Sequence, residues 1–275
     1  MKTKKRIAVI IAAAIAALTL SVSAFAFTGC GEPTIVLNGS TSMEKVITAL
    51  ADAYMESNDV RITYSATGSG AGVTAAQDKT ADMGLASRDL TEDEKKTGIS
   101  ATVIAIDAVA IIVHKDNADV TNVTKAQLKD LYINGTDIAS VKYGVGREAS
   151  SGTRECFDDA IGIEGDYKTT GDDKVVIQDG NGPLATYVGK HADSLGYVSL
   201  SSVTSDVKAV TYEGVVASAE NVKNNTYGLK RNFNLVLPEG GVDALSEAAK
   251  GFYEFCLSEE GQKIVEEQGN VSVKA

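Results

Sequence analysis

The sequence predicts an α/β protein with mixed, mostly parallel sheets, and three observations carry that reading. Short apolar runs of strand length alternate with amphipathic helical stretches along nearly the whole chain. The strands end repeatedly in turns of Gly, Ser and Thr that open a helix. Apolar residues make up 44% of 275 residues, enough for a substantial core, and no internal repeat or low-complexity linker interrupts the pattern.

Taken in order, "TIVLN" from Thr34 predicts a strand. The stretch Ser42 to Ser57 predicts a helix, because Met43, Ile47, Leu50 and Tyr54 share one face. "VRITY" is a strand, followed by the Gly-rich "SATGSGAG" and a short helical piece, and "ADMGLAS" ends a further strand. "ATVIAIDAVAIIVHK" is long and extended. Thr124 with Gln127 three residues on marks a capping box at the head of "TKAQLKDLY". "VKYGVG" predicts a strand, and a helix follows "SSGT" to about Ile161. "KVVIQ", "LGYVSL", "KAVTY" and "LKRNFNLVL" read as strands, with "GPLATYVGKHA" helical among them. Two helices, "DALSEAAKGFYEFCL" and "EEGQKIVEEQ", close the chain.

The first thirty residues read as a targeting segment. Lys2, Lys4, Lys5 and Arg6 precede an apolar, Ala-rich run from Ile7 to Phe27, and "FTGC" ends it at Cys30. A small residue before a Cys at that point resembles a bacterial lipobox, with Phe27 where such sites usually carry Leu. The expectation is a signal peptide over 1–29, cleavage before Cys30 and a lipid anchor on its sulfur. Losing the four basic residues takes the net charge from −11 to −15. So acidic a chain excludes a nucleic-acid partner, because binding a phosphate backbone needs a basic face. Cys156 and Cys256 sit on apolar helical faces and read as buried free thiols. The two histidines, His114 and His191, lie far apart with no ligand cluster around them, so neither metal nor cofactor is implied.

Four turns concentrate hydrogen-bond donors: "NGSTS" (38–42), "TGSGAG" (67–72), "ASRDL" (86–90) and "REASSGT" (147–153). The first turn of a helix has unpaired N–H groups and a positive dipole end. Gly lets backbone approach a ligand closely, and hydroxyls add donors. Each turn alone is also an ordinary N-cap. Together, with Arg88 and Arg147 adding charge-assisted bonds, they suit a small tetrahedral oxyanion. No turn matches the P-loop pattern. Nucleophilic catalysis is the competing use of these serines. It needs a base, and neither histidine is near these turns in sequence, which leaves a Ser-Lys pair as the remaining option.

These motifs resemble the phosphate-binding lipoproteins of phosphate ABC transporters. The resemblance runs over nearly the whole mature chain: "GSTS", "GSGAG", "MGLASRDL", "TKAQLKDLYING", "GREASSGTRECF", "LGYVSL", "YGLKRNFNLVL" and "FYEFCLSEEGQKIVEEQGNVSV". Its most specific element is Arg147, three residues, then Ser151-Gly152-Thr153. It implies a two-lobed periplasmic-binding-protein fold, lobe one at 33–112 and 228–275 and lobe two at 113–227. "AIIVHK" and "YGLKRNFNLVL" would be the hinge crossovers. It further implies a monomer that is not an enzyme. The protein would be held on the outer face of the cell membrane by its lipid and would deliver inorganic phosphate to ABC permease subunits. The implied phosphate contacts are Ser40, Thr41, Ser42, Ser69, Ser87, Arg88, Arg147, Ser151, Gly152 and Thr153. Asp89 and Glu148 are candidate acceptors for the phosphate proton. Two departures stand out. The chain lacks the tryptophan usual after the 124–132 helix, and Arg88 stands where some relatives carry Asp. The alternatives are a binder of sulfate or molybdate, or a secreted serine hydrolase.

Overall fold

In the computed structural model, residues 32–163, 167 and 174–274 are described; the signal-peptide and Cys30 expectations fall outside them. Among the described residues ten strands join in one sheet: β1 (Thr34–Gly39), β2 (Arg61–Ala66), β3 (Met83–Ala86), β4 (Ser100–His114), β5 (Asn122–Val123), β6 (Tyr143–Arg147), β7 (Val175–Gln178), β8 (Ser194–Ser199), β9 (Val207–Tyr212) and β10 (Lys230–Leu237). The main order is β2-β1-β3-β10-β4-β8-β6-β7, with β9 on β4 and β5 on β9. β1 pairs in parallel with β2 and β3, β6 with β7 and β8, and β5 with β9. Every antiparallel ladder involves β4 or β10. The fold is therefore the mixed α/β arrangement expected. Its antiparallel part comes from the two long strands that tie three parallel sets together.

Two large hydrophobic cores flank that tie, with a smaller third cluster around Val73, Ala76, Leu90 and Val236. One gathers Ile35, Leu37, Ile47, Leu50, Phe233 and Phe252, among others. The other gathers Ile111, Tyr132, Phe157, Leu184, Tyr197 and Tyr227. Along β4 the side chains pass from the first core to the second between Ala105 and Ala108, and at the head of β10 between Phe233 and the preceding Leu229. The β4–β10 register shifts between Phe233 and Asn234. An irregular pair there bends the strands where the cores meet.

The helices follow the predicted pattern with local differences. Glu44–Ser57 buries Val46, Ile47 and Leu50. The Thr124–Gln127 capping box forms: Thr124 Oγ1 accepts from Gln127 N at 3.2 Å, and Gln127 Oε1 accepts from Thr124 N at 2.9 Å. The long helix expected from Asp243 is shorter, Glu247–Cys256, because Ser246 caps it by accepting from Ala249 N. Ahead of it, Gly241–Ala244 forms a separate tight turn. Two short helices, Glu92–Lys95 and Ala219–Lys223, lacked a periodic apolar face and were not expected. Gly39 closes β1 at φ +144°. A Cβ there would lie 2.2 Å from Leu85 O, so only glycine lets the end of β1 press against β3.

Candidate functional site

Each donor turn sits at the carboxyl end of a strand. β1 leads through Ser40–Ser42 into Glu44–Ser57, β2 into Ser69–Gln77, and β6 through Ser151 into Gly152–Ile161. β7 leads through Gly180 into Asn181–Lys190. Strand ends that share a sheet edge bring helix N-termini to one region.

Hydrogen bonds show how closely the turns meet. Ser42 Oγ lies 3.0 Å from Thr153 Oγ1, 111 residues away. Ser69 Oγ lies 3.1 Å from Ser87 Oγ and accepts from Ser87 N at 3.0 Å. A Cβ on Gly152 would stand 2.7 Å from Ser87 Oγ and 2.8 Å from Ser69 Oγ. The head of the Gly152–Ile161 helix therefore rests on that hydroxyl pair, and the closeness requires glycine. Ser151 Oγ caps the same helix by accepting from Thr153 N and Arg154 N. Ser40 Oγ accepts from Ser42 N at 3.2 Å and so shapes the first turn.

Arg147 is the centre of the cluster. It is 1% exposed, and its Nη1 donates to Thr153 Oγ1 at 3.1 Å while Nη2 donates to Thr41 Oγ1 at 3.2 Å. Glu148 holds the guanidinium from one side: Oε2 accepts from Nε at 2.7 Å and Oε1 from Nη2 at 2.6 Å. Glu148 Oε2 also accepts from Gly180 N at 3.2 Å. The Arg147 backbone is fixed too, because its N–H donates to the Tyr197 hydroxyl at 3.1 Å. Tyr197 in turn stacks on Phe157 at 3.9 Å and meets the Tyr167 hydroxyl at 2.8 Å. Tyr167 donates to Asp158, whose carboxyl burial pushes up against the opposing pull of Tyr167 and Arg154.

The structure thus brings together Thr41, Ser42, Ser69, Ser87, Arg147, Ser151, Gly152 and Thr153, with Ser40 behind them. It places Arg88 differently. The Arg88 Nη1 and Nη2 donate to Glu94 at 2.8 and 2.6 Å, and Nε stands 3.0 Å from Glu155 Oε2. The hydrogen bonds from Arg88 hold the Glu94 carboxyl below its ordinary value, whereas burial pushes Glu155 up despite Arg88. Asp89 is exposed and accepts from Asn232 Nδ2 at 3.0 Å. Arg88, Glu155, Cys156, Lys230, Arg231 and Asn232 are among the residues lining a cavity of about 570 Å³, which none of the clustered serines and threonines lines. Burial pushes the Cys156 thiol up to about 12, and Cys156 and Cys256 are both free thiols.

Two participants were not expected. Asn181 Nδ2 donates to Ser42 Oγ at 2.8 Å and to Thr41 Oγ1 at 3.2 Å, and its Oδ1 accepts from Ser199 N at 3.0 Å. The signal was the "DGNGP" turn, a strand-to-helix turn like the others but without Ser or Thr. The second is Arg231, 6% exposed, whose Nη1 donates to Ser87 Oγ at 3.3 Å. Arg231 pairs with fully buried Asp107 at 2.9 Å, and burial pushes the Asp107 carboxyl up with Arg231 the largest opposing influence.

For the serines, the partners found are hydroxyls, amides and backbone groups, with the Arg231 guanidinium on Ser87. Ser42 and Lys45 have a Ser-x-x-Lys spacing, but Lys45 is exposed while Ser42 is buried against Thr153 and Asn181. His114 Nδ1 accepts from Asp116 N, and His191 stacks on Tyr187 at 3.9 Å. Among the described residues no group of three or more His, Cys, Asp or Glu could hold a metal ion. No helix among them is long and apolar enough to cross a membrane.

A mixed sheet whose strand ends gather donor turns around buried guanidinium groups defines the class: an α/β solute-binding protein. The chain belongs to the PBP superfamily, whose domain profile matches residues 27–260. It is 35% identical to a Clostridium perfringens protein assigned as a phosphate ABC transporter substrate-binding protein and solved with bound phosphate. That comparison has a TM-score of 0.81 and covers 88% of this chain and 100% of that one. An ABC-type phosphate transport receptor from Vibrio cholerae is 30% identical with a TM-score of 0.67, covering 86% and 99%. The phosphate-binding protein PstS of Borreliella burgdorferi is 26% identical over 262 residues, 88% of this chain and 91% of its own. The family expected from "GREASSGTRECF" and its companions is thus the family found.

Proposed function

We propose that this chain is an extracytoplasmic solute-binding protein that captures inorganic phosphate and delivers it to an ABC permease. One observation carries the reading: Arg147, buried and braced by Glu148, reaches hydroxyls of two separate turns where further Ser, Gly and Asn donors meet. A buried guanidinium among neutral donors is chemistry for an anion, since hydrogen bonds to a charged group are short and strong. The Clostridium relative with bound phosphate supports phosphate as that anion. Thr41, Ser42, Ser69, Ser87, Arg147, Ser151, Gly152 and Thr153 form the proposed cage, with Asn181 added and Arg88 outside it.

The lobes follow the two cores. The change of core between Ala105 and Ala108 on β4, and between Leu229, just ahead of β10, and Phe233 supports a boundary at those points, where the sequence suggests 112/113 and 227/228. Phosphate favours the closed state by bonding groups from both sides, such as Ser42 and Thr153. The chain works as a monomer, anchored through lipid on Cys30. It is read as a binder rather than a hydrolase: its relatives are transport binding proteins, and among the described residues the partners of the cage serines are hydroxyls, amides, backbone groups and the Arg231 guanidinium.

Glu148 is the candidate acceptor for the phosphate proton. Its Oε1 accepts one bond, from Arg147, and keeps a lone pair. Asp89 instead faces Asn232. Calorimetric titration with phosphate, sulfate and molybdate tests the reading. Phosphate is expected to bind best, and Glu148→Gln to narrow the phosphate-over-sulfate ratio by about tenfold or more. Sulfate or molybdate binding as tightly as phosphate would contradict the phosphate assignment.

A further inference from the structure

We propose that Arg231 is a positioning residue for the anion site. It fixes the Ser69–Ser87 hydroxyl pair so that the pair presents a proton to the anion, and Asp107 holds Arg231 in place. This rests on the reading of the Arg147 cluster as the phosphate site.

Arg231 and Asp107 are register partners on β10 and β4, beside the place where the two cores meet. Two of the three guanidinium nitrogens face Asp107: Nε and Nη2 donate to Oδ2 at 3.2 and 2.9 Å. The third, Nη1, donates to Ser87 Oγ at 3.3 Å. The other carboxylate oxygen accepts from Ser199 Oγ at 2.9 Å and Asn270 Nδ2 at 3.3 Å. An ion pair buried this deeply is seldom more stabilising than an apolar pair of the same shape. What an apolar pair could not supply is the hydrogen bond to Ser87.

That bond decides what the hydroxyl pair can offer. Two hydroxyls hold two hydrogens and four lone pairs. One hydrogen bond joins Ser69 Oγ to Ser87 Oγ, and the Ser87 N–H fills a lone pair on Ser69. Arg231 fills a lone pair on Ser87. One hydrogen remains, and whichever oxygen carries it has both lone pairs filled. That hydroxyl can only donate. Without Arg231, a Ser87 that keeps the hydrogen also keeps an open lone pair, which repels an anion oxygen. The pair sits against the first residue of the Gly152–Ile161 helix, so its remaining proton adds to the donors gathered there.

Arg231→Met alone would strand the Asp107 carboxylate, so the test combines Asp107→Asn with Arg231→Met. This keeps an acceptor for Ser199 and Asn270 and removes both charges. Inorganic phosphate is titrated calorimetrically into the purified protein at fixed pH and salt. The combined variant is expected to keep a melting temperature near wild type and lose about tenfold or more in phosphate affinity. In a Ser87→Ala background the same two substitutions should change affinity by less than about threefold, because the hydroxyl they act through is gone. Arg231→Lys keeps the ion pair but lacks the third nitrogen, and it should lose affinity at an unchanged melting temperature. Equal losses in both backgrounds, no loss in either, or full affinity in Arg231→Lys each overturn the proposal. A wild-type protein that takes up no phosphate overturns the phosphate reading and this proposal together, and that is known before any variant is made.

Discussion

Arg147 and Arg88 look alike in the sequence. Each closely follows a strand end and sits beside a serine-bearing turn, and each precedes an acidic residue. In the fold they do opposite things. Arg147 is 1% exposed, and its one carboxylate partner leaves its guanidinium free to reach Thr41 and Thr153. Arg88 is taken up by two carboxylates, Glu94 and Glu155, and faces a different cavity. On the proposed reading, an arginine serves a ligand only when its neighbours brace it without neutralising every donor. Glu148 braces, whereas Glu94 and Glu155 consume.

The comparison breaks most directly on substitution of the two arginines. Arg147→Ala should weaken phosphate binding by about 2–4 kcal/mol, because the ligand loses a desolvated charge. Arg88→Ala should leave affinity within about threefold, since its partners are the protein's own carboxylates. Comparable losses from both would place Arg88 in the site after all. Next in size is Ser69→Ala, which removes a hydroxyl of the inner pair and should cost roughly 1.5–3 kcal/mol of binding by titration.

Gly152→Ala sharpens the same point. Its Cβ would stand 2.7 Å from Ser87 Oγ and 2.9 Å from Ser87 O, so the helix head must move off the hydroxyl pair. A loss of about 1–3 kcal/mol in binding or stability is expected, measured by titration and thermal melting. Unchanged affinity and melting temperature would mean that the helix head is not seated as described.

The smallest expected effect lies on the Arg88 side. Hydrogen bonds from Arg88 hold Glu94 below its ordinary carboxyl value of 4.5. A carboxyl lowered on folding adds stability above that ordinary value and loses it as pH falls through the folded one. Glu94→Gln should therefore cost about 1 kcal/mol at pH 7, the upper end of the range for exposed pairs, because this pair is half-buried. The gap to wild type should close as pH drops below about 4.5. Phosphate affinity should not change. A gap that persists at low pH would show that the pair's charge is not what stabilises.

Most of the site was legible in local sequence because its donors are carried by turns, and turn chemistry is local. The four Ser/Gly/Thr turns and Arg147 needed no knowledge of distant contacts to be picked out. What escaped was set by long-range pairing. Arg231 and Asp107 each read as a lone charge in an apolar strand, and only the β4–β10 register brings them together. Asn181 escaped because its turn carries an amide rather than a hydroxyl. Arg88 pairs elsewhere in the fold for a local reason: Thr91 and Glu94 form a capping box that fixes Glu94 within its reach. The mixed sheet was foreseen from alternating strands and helices, but the register shift at Phe233 depends on how two distant strands meet.

The most direct measurement is a crystal structure of the protein grown with phosphate. The account predicts the anion within hydrogen-bonding distance of Arg147, Thr153 and the Ser69–Ser87 pair, with Arg88 still bound to Glu94 and Glu155. Phosphate seated instead against Arg88 and Lys230 in the neighbouring cavity would contradict it.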